Sequence, residues 1–224
     1  MSEQEAAFPK VWESFCSLAR VADGRHDTPA WRSHDAVFAV CIIRVPITAL
    51  NDDLARCRAA LARLPGVRVH PDHFLHISLQ ELGFVAAEPR HPDEISPAAL
   101  EEFVTMAASP ISERPPFLLT LGGANSFEDA PFLEVHDDEE ASRLHQRLFE
   151  IAAPPSSPRF PYLPHSTIAH YTEPALAAPA IEVLSEWRDA RFGEFEVTEV
   201  EIATMTIAEP YPPFQPFAVF PLVG

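Results

Sequence analysis

Two short stretches carry the residue types of proton-transfer chemistry. HFLHISLQELGF, residues 73–84, is dominated by aliphatic and aromatic side chains, yet it holds His76 and Ser78 two positions apart. In HSTI, residues 165–168, His165 and Thr167 repeat that spacing 89 residues later. Successive side chains of a strand point to opposite faces, so each histidine shares a face with its hydroxyl partner, while Ile77 and Leu79 take the other. Imidazole titrates at about pH 6.5, so it gives or takes a proton near neutrality. Two imidazoles facing one another across a cleft act as complementary general base and general acid, and each hydroxyl can donate to a non-bridging phosphate oxygen. The chemistry this suits is displacement at phosphorus. One histidine activates water or a ribose hydroxyl, the other protonates the leaving oxygen, and no metal is required.

The elements that must position these residues alternate along the chain. Residues 2–20 have a helical stripe in Trp12, Phe15 and Leu18 that could dock on the body, and a loop with Asp23-Gly24 and Thr28-Pro29 follows. The run from Ala36 to Val45 is a buried strand stopped by Pro46. Asn51 or Thr48 caps a helix to about Leu64, ended by Pro65-Gly66, and the strand 73–85 comes next. Ser96-Pro97 opens a further helix. Strands at 116–122 and 131–136 flank a turn read from GGANSFEDA, and Asp137 or Asp138 caps a helix to about Ala153. A proline-rich connector then enters PHSTIAHY, read as one strand, before a helix near 175–187 and strands near 195–207 and 214–220. Strands mixed with helices and hairpins indicate α+β or mixed α/β. With seven glycines there is neither a P-loop nor a dinucleotide-binding fingerprint.

Charge narrows the partners. The net charge is −17, with Lys10 as the one lysine, so tight binding to long nucleic acid is disfavoured. Arg56, Arg58, Arg63 and Arg68 form a local basic reversal within 54–69, either a phosphate-facing patch or, the favoured reading because arginine on a helix surface is ordinary, the solvated face of a helix. No apolar run reaches the roughly 18 residues of a membrane span, and MSEQEAAFPK lacks the features of a signal peptide. Cys16, Cys41 and Cys57 have no CxxC spacing, which fits a reducing compartment. The expectation is a soluble cytoplasmic protein with no membrane partner.

Other residues invite roles. His73 and His170 suggest a metal, but His73 and His76 have opposite strand parity, as do His165 and His170, and no carboxylate or thiolate recurs at ligand spacing; no metal and no cofactor is expected. His26, His34, His91, His136 and His145 fall in loops or on helix surfaces and need no special role. Phe84, Tyr171 and Tyr211 could stack on a base, with Tyr171 favoured because it shares parity with His165 and Thr167. Arg44 and Arg159 could approach phosphate, or make ordinary salt bridges.

His76-Ile77-Ser78-Leu79 and His165-Ser166-Thr167-Ile168 resemble the paired HxT/Sx motifs of the 2H phosphoesterase superfamily, which includes RNA 2′,3′-cyclic phosphodiesterases, also called 2′–5′ RNA ligases. Pro164 and the strand ending at Pro46 are also similar. The resemblance spans roughly residues 36–220. It implies a bilobal α+β fold in which two pseudo-symmetric sheet lobes flank a central cleft, one motif per lobe, with helices outside. Residues 1–35 are then an N-terminal helical extension, and 36–224 one bilobal domain. It further implies that His76 and His165 are the acid–base pair and that Ser78 and Thr167 hold phosphate. Where many members carry a basic residue after the second motif, this chain has Ala169-His170-Tyr171. The expected activity is that of a metal-independent phosphodiesterase on a cyclic phosphate, a 2′–5′ linked or a short cyclic (oligo)nucleotide. The alternatives are a nucleotide-binding or sensing module without turnover, and RNA-end processing or 2′–5′ ligation.

Overall fold

The computed structural model describes residues 2–25, 34, 37–154, 161–208 and 210–224. Its elements follow the chemistry of the chain. Helix α1 (Glu3–Cys16) is capped by Ser2, whose hydroxyl accepts from the Glu5 amide, and Glu3 and Glu5 suit its first turn. Strand β1 (Val37–Arg44) is buried at every position but its two ends, as its unbroken apolar run requires. In α2 (Asp52–Leu61) the Asn51 side chain accepts from the Asp53 amide, and Leu54, Cys57 and Leu61 form the buried stripe. Asn51 is therefore the cap, while Thr48 lies in a preceding 3-10 turn. Strands β2 (Val67–Val69), β3 (His76–Val85) and β4 (Glu94–Ile95) follow. Ser96 caps α3 (Pro97–Ser112) through the Ala99 amide.

In the second half, β5 (Phe117–Ser126) and β6 (Pro131–His136) form a hairpin. The expected turn over GGANSFEDA is shorter than its composition suggested. Gly123, at φ +68°, makes a bulge that the strand passes through, and the hairpin closes only at Phe127–Ala130. Asp137 serves the N-terminus of α4 (Glu140–Ala152), its carboxylate accepting from the Ala141 amide. PHSTIAHY is two strands, β7 (His165–Thr167) and β8 (Ala169–Tyr171), interrupted at Ile168. After α5 (Ala178–Ser185), the single strand expected over 195–207 is likewise two, β9 (Arg191–Val197) and β10 (Glu199–Thr206), and β11 (Gln215–Pro221) closes the chain.

Three sheets result, so the fold is mixed α+β. One has the order β11-β10-β1-β3-β4, a second β7-β6-β5-β9, and β2 pairs with β8 as a ribbon. The chain passes from the second sheet to the first at Thr198, because β9 pairs with β5 while β10 pairs with β1. One apolar core joins the sheets, with Ile43, Leu79, Leu121, Leu133 and Phe192 among its fully buried members. A smaller cluster of Phe38, Val40, Ile42, Phe74, Phe84, Ala203 and Phe214 covers the opposite face of the five-stranded sheet. The N-terminal helix docks on β5: Phe8 and Phe15 are each 1% exposed, and the Asn125 amide donates to the Phe8 carbonyl. Trp12 lies under the Arg188 guanidinium at 4.8 Å, while His26 and Thr28-Pro29 lie outside the described residues. Among the described residues no helix is long and apolar enough to cross a membrane.

Candidate active site

Strand β7 is the edge of its sheet, and it packs against β3. The two strands that start with the motif histidines are therefore neighbours across the junction of the sheets. Each histidine is half-buried and is held in the same way. His76 Nδ1 lies 2.7 Å from the Phe74 carbonyl, and His165 Nδ1 lies 2.8 Å from the Leu163 carbonyl. A carbonyl only accepts, so Nδ1 carries the proton in both rings and Nε2 is left to exchange one. In both motifs the acceptor is the residue two positions earlier, and Nε2 is directed away from it.

The surroundings of the two rings differ. His76 Nε2 lies 3.1 Å from Ser78 Oγ, so the hydroxyl donates to the neutral ring and accepts from the protonated one. The His76 ring also meets Phe74 and Phe214 edge-on, at 5.3 and 4.7 Å. His165 sits against Phe127 and Phe132 at 5.0 and 5.2 Å. Burial there holds its pKa below the ordinary histidine value, which the Leu163 hydrogen bond and the Asp129 carboxylate only partly offset. Thr167 is half-buried on the same strand, and its register partner is Phe132, as Glu134 is that of His165.

Two side chains fasten the motifs together. Tyr162, three residues before His165, donates its hydroxyl to the Ser78 carbonyl at 2.8 Å, and its ring stacks on His145 at 3.8 Å. His145 Nδ1–H donates to the Leu79 carbonyl at 2.6 Å. The expectation that His145 needs no role is thereby corrected: it ties α4 to the motif strand, and burial lowers its pKa. Nothing in the local pattern around Tyr162 or His145 signals these contacts.

The expectation for Tyr171 is also overturned. Tyr171 is 1% exposed, its hydroxyl pairs with Ser126 Oγ at 3.0 Å, and its ring lies parallel to Phe15 at 6.5 Å. The break at Ile168 ends the alternation shared by His165 and Thr167, so Tyr171 points into the core, away from any base. Phe84 is buried too, stacked on His34 at 3.9 Å, which gives His34 a packing role the sequence did not suggest. Tyr211 is half-buried at φ +54°, with its carbonyl 2.9 Å from His73 Nε2 and its ring 4.6 Å from His70. Arg44 makes a paired contact with Glu201 at 2.5 and 2.6 Å, and Arg159 lies outside the described residues. Arg58, read as a solvated helix residue, is 15% exposed and binds Asp72 and the His70 carbonyl.

His70, unassigned from sequence, forms a buried pair with His170, with Nε2 and Nδ1 3.2 Å apart. The ribbon of β2 and β8 brings them together, through the pairing of Arg68 with His170 and the His70 amide bond to Ile168. Among the described residues, no three His, Cys, Asp or Glu side chains group as a metal site requires.

Comparison with known proteins follows these features. The fold is shared with TT0787 of Thermus thermophilus, at 19% identity and a TM-score of 0.62, covering 84% of this chain and 98% of that one. It is shared equally with E. coli LigT complexed with ATP, at 18% identity and a TM-score of 0.62, covering 85% and 100%. The E. coli LigT complex with 3′-AMP gives 18% identity and a TM-score of 0.58, with the same coverage. No curated protein matches the chain in sequence. Residues 45–206, which hold both histidine motifs, match the 2'-5' RNA ligase superfamily, and the chain belongs to that family of 2H phosphoesterases.

Proposed function

We propose that the protein is a metal-independent phosphodiesterase in which His76 and His165 work as a general acid–base pair. Membership of the superfamily supports a phosphoesterase- or ligase-type activity. The observation that carries the finer reading is the repeated anchoring of the two imidazoles, each with Nδ1–H on the carbonyl two residues before it. That bond fixes the tautomer and presents Nε2 as the proton-exchanging atom in both motifs. A pure binding module has no need for two such matched rings.

His165 is the general base. Its pKa is pushed down by burial, so it stays neutral at physiological pH and accepts a proton from water at Nε2. His76, beside the Ser78 hydroxyl, is the acid that protonates the leaving oxygen. Ser78 and Thr167 donate to the non-bridging phosphate oxygens, where negative charge grows in the transition state. The substrate is a cyclic phosphate, a 2′–5′ linked or a short cyclic (oligo)nucleotide; the net charge of −17 disfavours long RNA. The nucleotides seen in LigT complexes support a nucleotide ligand for this chain.

The test is turnover in the presence of EDTA, with 2′,3′-cyclic nucleotides, 2′–5′ oligoadenylate and cyclic dinucleotides as substrates. Hydrolysis of one class that is lost in both His76→Ala and His165→Ala is the expected result. Full activity in either variant would end the assignment.

A further inference from the structure

The face of the five-stranded sheet that bears the first motif also carries a guanidinium. Arg44 is the register partner of His76, and in the next row Ile42 lies between Ser78 and Glu201. Cross-strand partners share a face, so His76, Ser78, Arg44 and Glu201 all point the same way. The Arg44 fork is turned toward β10. Its Nε and Nη2 bind the two Glu201 oxygens at 2.5 and 2.6 Å, and Nη2 also donates to the Phe214 carbonyl at 3.2 Å. The Phe214 ring lies 5.5 Å from the guanidinium carbon and 4.7 Å from the His76 ring, so the three form one continuous wall.

Exposure divides the ion pair unequally. The Glu201 side chain is 6% exposed and the Arg44 side chain 40%. The carboxylate is buried beneath the fork, while Nη1 makes no hydrogen bond among the described residues. Its two N–H groups are donors already held in place, so a ligand meets them without ordering a long flexible chain. Two strand spacings separate β3 from β10, about 10 Å. The guanidinium carbon and the His76 ring both contact Phe214, at 5.5 and 4.7 Å, so they lie within about 10 Å of one another, a span on the order of one nucleotide unit.

We propose that Arg44 is a second anion subsite, which binds a phosphodiester or terminal phosphate one nucleoside away from the reacting phosphate. This rests on the phosphodiesterase reading and deepens it: the substrate class is a nucleotide with at least two phosphates.

The test compares two ligands with the same reacting group: adenosine 2′,3′-cyclic monophosphate, and the dinucleotide adenylyl-adenosine ending in a 2′,3′-cyclic phosphate. Arg44→Gln alone would strand a buried carboxylate, so it is combined with Glu201→Gln, and a melting curve checks folding. In the double variant KM for the dinucleotide should rise roughly tenfold to a hundredfold, with kcat nearly unchanged, and the mononucleotide should change less than about twofold. Arg44→Lys, which keeps the charge and loses the fork, should fall between. Calorimetric titration of both ligands into wild type and double variant separates the two readings. If wild type turns over neither ligand, the phosphodiesterase reading fails, yet a dinucleotide affinity lost in the double variant still supports the subsite. Equal effects on both ligands, no effect on either, or no binding by wild type would overturn it.

Discussion

Replacing Tyr162 by phenylalanine deletes one oxygen and thereby isolates the contact that ties the approach to the second motif onto the first. The phenol donates to the Ser78 carbonyl at 2.8 Å, and burial raises its pKa, so it remains a neutral donor throughout the working range. Phenylalanine keeps the ring and hence the 3.8 Å stack on His145. What is lost is the net worth of a hydrogen bond, about 1 kcal/mol, plus part of the penalty for a carbonyl left without its donor, about 1 kcal/mol more. For a chain of this size each kcal/mol moves Tm by about 2–4 °C, so the variant should melt roughly 4–8 °C lower.

The same carbonyl belongs to the residue whose hydroxyl lies 3.1 Å from His76 Nε2, so the loss should also reach catalysis. A small shift of Ser78 against His165 should lower kcat/KM on the order of tenfold, because reacting groups displaced by about 1 Å lose far more than that. Thermal melting by circular dichroism and steady-state kinetics on a 2′,3′-cyclic nucleotide read both effects. Wild-type melting together with wild-type kinetics would refute the view that this hydroxyl couples the motifs. A lower Tm with unchanged kinetics would confine it to stability.

Other consequences follow from the same geometry. Under the proposed two-histidine mechanism, His76→Ala and His165→Ala should each lose about 10²–10⁴ in kcat, and the double variant little more, as groups acting together do; additive losses in single-turnover assays would contradict this. Ser78→Ala and Thr167→Ala should each cost about 2–4 kcal/mol of transition-state stabilisation, read as a fall in kcat/KM. With His165 as the proposed neutral base, the acid limb of the kcat/KM profile should lie below the ordinary histidine pKa, because burial lowers the pKa of His165. Protonating it also favours the unfolded chain, so its contribution to stability is present above about pH 6.5 and is lost as pH falls from there through the folded pKa, measurable as a declining Tm. Tyr171→Phe should leave kinetics unchanged and lower stability by about 1 kcal/mol through the lost Ser126 bond; a selective rise in KM would return Tyr171 to the substrate site.

The motif residues were legible because alternation along a strand is a local property. His76 and Ser78 share a face on any strand, and Asn51 and Ser96 cap helices for reasons contained within four residues. Alternation holds only while the strand is continuous, and here it fails directly after Thr167. The Ile168 amide turns to the Pro131 carbonyl while its own carbonyl accepts from His70, and every residue beyond it takes the opposite face from the one counted. That single break moves Tyr171 from the site into the core and brings His170 against His70. The partner strand that accompanies the break, Val67–Val69, is three residues long and has no periodicity to detect. Its place is fixed by non-local pairing with β8, which no window of sequence contains. Arg44 shows the complementary case. Its parity with Val40 and Ile42 was readable, but the strand that would lie beside it was not, so neither Glu201 beneath its fork nor His76 opposite it could be named. Local pattern assigns a side chain to a face; the neighbours on that face, which decide whether a cation is a structural partner or a binding group, come from strand order.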